Sequence, residues 1–155
     1  MLLRYNMGWV EMLLIDVPLF LGATTSVCSF YAFAQRQAFE DALFQQNGIE
    51  SLDFQVHAPH VVRYSLREYS GLSKLVGEMS QLRGADGVDP NVYYYGLFDN
   101  CGACIGAGGQ SGCTVGLAFD ITGGDMSDAF ARAAAGQLNG GAAETFVHEI
   151  GHEQG

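Results

Sequence analysis

Basic residues are scarce in this chain of 155 residues: 7 lysines and arginines stand against 17 acidic residues, for a formal net charge of −10. No run of positive side chains is available to track a phosphate backbone, which argues against nucleic acid as a partner. Long apolar runs are also missing. Met12 to Leu21 is the most apolar early stretch, but Glu11, Asp16 and Pro18 interrupt it before it reaches the length of a signal core or a membrane span. Charged residues make up only 15% of the chain and hydrophobic ones 48%, a balance that excludes wholesale disorder and predicts an ordered interior. The length is that of one domain.

The chain closes on Glu144-Thr-Phe-Val-His-Glu-Ile-Gly-His-Glu-Gln-Gly155, and this string carries the chemistry. His148 and His152 are four apart, so on a helix their side chains leave the same face with about 5–6 Å between Cβ atoms, close enough to share one ion. Glu149 sits roughly 100° round the helix from His148, placed to reach a water beside that ion without competing as a ligand. Ala142, Ala143, Phe146, Val147 and Ile150 supply the helix formers and apolar positions that a buried helix requires. Gly155 follows His152 by three places, where the extended pattern H-E-x-x-H-x-x-G-x-x-H uses a glycine to turn the chain toward a third histidine. That third position falls three places beyond the last residue.

On these residues the C-terminal half resembles the catalytic domain of metzincin zinc metallopeptidases, in particular the reprolysin-like type and bacterial secreted members whose helix reads H-E-x-G-H-x-x-G. The resemblance implies a zinc-dependent endopeptidase. His148 and His152 would be metal ligands for Zn2+, and Glu149 the catalytic general base for a zinc-activated water. It also implies that residues 1–155 form a single metzincin-like catalytic domain, incomplete at the C-terminus, with the lower subdomain missing. In the family the strand before the long connection lies at the sheet edge and pairs with the peptide substrate. Thr114-Val-Gly-Leu-Ala118 is its counterpart, with Gly116, Leu117 and Ala118 as the expected substrate contacts; the plain alternative is an ordinary core strand.

Cys101, Cys104 and Cys113 crowd into one glycine-rich stretch, where a short disulfide pinning a loop is expected. A second zinc site is the alternative, although no nearby fourth ligand is visible. Cys28 has no obvious partner. Disulfides suit an extracellular or cell-envelope setting, and a peptide or protein is the expected partner, with no membrane span. His57 and His60 flank a proline and read as loop or packed residues rather than ligands. The competing functional readings are a non-catalytic binding or scaffold domain that keeps a degenerate motif, and a zincin with a different third ligand.

Periodicity orders the elements. Met12 to Leu21 reads as a buried strand, and Ala34 to Gln46 as a helix with Ala38, Phe39, Ala42 and Leu43 along one stripe. Ser51 to His57 alternates like a half-exposed strand, and Val61 to Leu66 reads as a short extended piece. Ser70 is expected to cap a helix carrying Leu72, Leu75, Val76, Met79 and Leu82, stopped by Gly84. Asn91 to Phe98 and Thr114 to Phe119 read as strands. Ile121 to Gly141 reads as a long connection holding a short helix from Met126 to Ala135, before the final helix. The expected fold is α/β (α+β zincin-like): a mixed, mostly parallel twisted sheet with helices, ending in the zinc-binding helix.

Overall fold

The computed structural model describes residues 9–14, 36–47, 52–57, 60–89, 91–100, 104–107, 110–119, 132–138 and 140–153. In chain order its elements are β1 (Trp9–Leu14), α1 (Arg36–Asn47), β2 (Phe54–His57), α2 (Tyr69–Asp86), β3 (Val92–Phe98), β4 (Ile105–Ala107), β5 (Gln110–Thr114), β6 (Gly116–Ala118), β7 (Ala133–Gln137) and α3 (Ala142–His152). Five strands form one sheet in the order β2-β1-β3-β7-β6, and β4 with β5 makes a separate hairpin. Strands β2, β1, β3 and β7 are mutually parallel, while β6 runs antiparallel to β7 at the border. The mixed, mostly parallel sheet read from the sequence is therefore present.

Strand β3 shows how the sheet divides two cores. Successive side chains of a strand point to opposite faces. Tyr93, Tyr95 and Leu97 accordingly pack on one face with Phe39 and Leu43 of α1 and Phe146, Val147 and Ile150 of α3. Tyr94 and Phe98 pack on the other with Leu72, Leu75, Val76 and Met79 of α2. Phe146 anchors the first core, its ring 4.8 Å from Tyr95, 5.2 Å from Phe39 and 6.4 Å from Phe54, all edge-on. Truncating a phenylalanine buried this completely costs about 3–5 kcal/mol in general.

Three expectations about elements need correction. The short helix expected from Met126 to Ala135 does not extend to its end, because β7 occupies Ala133–Gln137; Met126 to Ala131 lie outside the described residues. Alanine favours helix intrinsically, but here it is chosen for size. Every residue of β7 is buried, and Ala134 faces the core of α1 and α3 while Ala133 and Ala135 face that of α2. Helix α2 begins at Tyr69 with Glu68 as its extended N-cap, so Ser70 is already inside it, and it runs past Gly84 to Asp86. The stop is Gly87, whose φ of 62° is the left-handed conformation that glycine adopts without penalty. Finally, the expected strand from Thr114 to Phe119 is divided. Gln110–Thr114 pairs back on β4, and only Gly116–Ala118 joins the main sheet.

Candidate metal centre and peptide-binding edge

Helix α3 carries Glu144 in its first turn, where a negative charge suits the amino end, and it starts from Gly141 without a side-chain cap. Its buried stripe is Ala142, Phe146, Val147, Glu149 and Ile150, whereas His148 and His152 lie on the exposed side. The two imidazoles converge. Their Nε2 atoms are 3.1 Å apart and their ring centroids 4.7 Å apart, with the planes perpendicular. A tetrahedral zinc holding two nitrogens at about 2.0–2.1 Å would set them about 3.3–3.4 Å apart, so the observed pair needs only a small opening to accept one ion. The same separation serves an N–H···N hydrogen bond in which one neutral ring donates and the other accepts.

Glu149 points away from solvent, with only 6% of it exposed, toward the border strand. A Cβ placed on Gly116 would stand 2.6 Å from Glu149 Oε1, 2.7 Å from Thr145 Cγ2 and 2.8 Å from Glu149 Cγ. The carboxylate thus lies directly against the backbone of β6. Gly136 is the register partner of Gly116, and a Cβ there would overlap the Tyr95 hydroxyl and come within 3.3 Å of Thr145 Cγ2. The antiparallel pairing continues through Leu117 with Ala135 and Ala118 with Ala134. Gly116, Leu117 and Ala118 therefore form an outer strand, half buried, beside the helix that carries Glu149.

Below the two histidines the interior holds unusual polar groups that the sequence reading did not single out. Glu153 is 0% exposed and neither of its carboxyl oxygens has a hydrogen-bond partner. Burial first, and the neighbouring Glu149 second, push its pKa well above the ordinary carboxyl value, against the lowering pull of Arg83 and Arg132. The buried Tyr95 hydroxyl is likewise without a partner, and burial raises its pKa well above that of a free phenol. Nothing in the alternation of β3 distinguishes Tyr95 from its neighbours; what sets it apart is that its hydroxyl lies where a side chain at Gly136 would stand.

His57 and His60 are held elsewhere. His57 Nε2 is 3.4 Å from Asp86 Oδ2, and His60 Nε2 is 3.1 Å from Glu78 Oε2, both on α2, which packs on the opposite face of the sheet from α3. Tyr94 and Tyr64 donate to the same two carboxylates, at 2.8 Å and 2.9 Å. Among the described residues no group of three His, Cys, Asp or Glu side chains is poised for a metal, and Gly155 and the position expected for a third histidine lie outside them.

Of the three clustered cysteines, Cys104 and Cys113 form a disulfide and Cys101 lies outside the described residues, as does Cys28. The bridge closes the β4-β5 hairpin. That hairpin is tied to the start of α2 by a parallel bridge between Gly106 and Glu68, and Ile105 is buried in the core of α2. The Val115 carbonyl, just past the hairpin, accepts from Gln137 N–H at 2.7 Å and so delivers the chain into β6. Among the described residues no helix is long and apolar enough to cross a membrane. Comparison with protein-family models, curated proteins and solved structures finds no match to this chain.

Proposed function

We propose that this protein is a zinc-dependent endopeptidase in which His148 and His152 hold the ion and Glu149 is the general base. The observation that carries the reading is the position of Glu149. It is buried on the helix that carries the convergent imidazole pair, directly against the border strand β6, so one helix brings a carboxylate near both a cation-binding pair and a strand able to align a peptide. Zinc, when bound, supplies Lewis acidity that acidifies water and polarises a carbonyl. Glu149 then takes a proton from the attacking water and returns it to the departing amine, so one side chain is base and acid in turn. Strand β6 is the border of the sheet among the described residues, and its backbone groups turned away from β7 would align an extended substrate by strand addition. The Cys104–Cys113 bridge suits an oxidising setting, extracellular or in the cell envelope.

Glu149→Gln is expected to bind zinc as the wild type does in a calorimetric titration, while peptide hydrolysis in zinc-containing buffer falls roughly 10²–10⁴-fold, the usual contribution of a general base. His148→Ala and His152→Ala are expected to lose zinc binding and activity together, read by calorimetric titration with zinc and by cleavage of an unstructured protein substrate. Hydrolysis that survives Glu149→Gln unchanged refutes the role given to that residue.

A further inference from the structure

Residues directly opposite in an antiparallel ladder share a face, so the missing side chains of Gly116 and Gly136 leave one hollow in the sheet where α3 lies across it. Three groups fill that hollow. The Tyr95 hydroxyl lies at Gly136, Thr145 Cγ2 reaches both glycines, and the Glu149 carboxylate lies at Gly116. Backbone conformation does not demand glycine at either place, since among the described residues Gly87 alone has a positive φ. Space does. We infer that Gly116 is a positioning residue that acts through Glu149: the hollow left by its absent side chain seats the carboxylate against the strand that aligns the peptide. This inference rests on the proposed peptidase reading and deepens it.

The three atoms crowding Gly116 differ in how easily they give way. Thr145 Cγ2 and Glu149 Cγ are held close to the helix backbone, whereas Glu149 Oε1 ends a flexible chain. An added methyl group therefore displaces the carboxylate most. The outer N–H and C=O groups of β6 stay where they are, because alanine fits the strand conformation. A misplacement of about 1 Å at a reacting group is worth about 10²-fold in rate. The loss should therefore appear in kcat rather than in KM.

The test is a double-mutant cycle of Gly116→Ala and Glu149→Ala in the full chain, read two ways. Without metal, Gly116→Ala is expected to lower the melting temperature, and by much less when Glu149→Ala has already vacated the seat. With zinc, Gly116→Ala is expected to retain the ion, keep KM and lose about 10²-fold in kcat. If Gly116→Ala alone does not fold, recovery of the fold in the Glu149→Ala background is itself the coupling. The Thr145→Ser/Gly116→Ala pair, freed of the threonine methyl, then supplies the kcat. Equal thermal cost in both backgrounds overturns the inference, as does a raised KM with unchanged kcat. Coupling in melting temperature alongside a zinc-loaded wild type that cleaves no peptide overturns the peptidase reading and leaves the seat standing.

Discussion

Tyr95 ends inside the protein with its hydroxyl against Gly136 and no hydrogen-bond partner, an arrangement that costs free energy at neutral pH. Leaving a buried polar group unsatisfied costs about 1–3 kcal/mol, so Tyr95→Phe should leave stability unchanged or raise it by about 1 kcal/mol in urea unfolding at pH 7. Its titration has a definite sign. Burial raises the folded pKa above the value of about 10 that a free tyrosine shows, and Tyr93 and Tyr64 are shifted the same way. Below pH 10 the phenols are neutral in both states and their contribution is whole. Above it the unfolded chain ionises first and binds fewer protons than the native one, so stability falls as pH rises. Tyr95→Phe should flatten that alkaline limb, and an unchanged slope between pH 9 and 11 would contradict it. At this scale the convergence of His148 and His152 on one face of α3 was legible in the sequence, because a spacing of four on a helix fixes their relative directions. The sequence did not show Gly116 as the seat of Glu149 or Gly136 as its partner, because a close approach between helix and strand leaves no periodic signal in either.

Elements were legible where alternation or strand-forming aromatics marked them, as in α2 and in the doubly covered β3, and illegible where neither did. Helix α2 alternates buried and exposed positions, and its stripe of Leu72, Leu75, Val76 and Met79 was read correctly. Strand β7 is covered on both faces, so its Ala-Ala-Ala-Gly run carries no alternation and mimics a helix. The border between β5 and β6 was blurred for a different reason, since one extended run serves two sheets with Val115 between them. The disulfide acts at this level. Closing a loop across a sequence separation of 9 removes unfolded-chain entropy worth about 2–3 kcal/mol, so Cys104→Ser/Cys113→Ser should lower the urea midpoint accordingly. The exchange of amide hydrogens in Gln110–Ala118 should also rise, since the hairpin leads straight into β6. Unchanged exchange there would mean that Ile105 and the Gly106 to Glu68 bridge hold the hairpin unaided.

Taken whole, the molecule puts α1 and α3 on one face of a mostly parallel sheet and α2 on the other, and this partition separates its four histidines. His57 and His60 are engaged by carboxylates of α2, whereas His148 and His152 belong to α3. The order of elements from β1 to β3 and the closing helix was readable from the sequence, but the β4-β5 hairpin and β7 were not, nor was strand order within the sheet, because pairing depends on crossovers that local periodicity does not encode. Binding to the native state alone raises stability by about 2.7 kcal/mol at a ligand concentration of 100 times Kd. Micromolar to millimolar zinc should therefore raise the melting temperature of the wild type, and should not do so for His148→Ala. An equal rise in both proteins would place the ion elsewhere.

The brevity of β6 limits how firmly anything is gripped there. Three residues, with backbone groups alternately turned inward and outward, leave about two or three hydrogen bonds for an added chain. At about 0.5–1.5 kcal/mol each, these fall near or below the 4.1 kcal/mol of a millimolar complex. Main-chain pairing alone would hold a polypeptide too loosely to retain it after scission. Under the proposed peptidase reading, discrimination among targets would come from side-chain contacts outside this ladder, and severed ends would depart quickly.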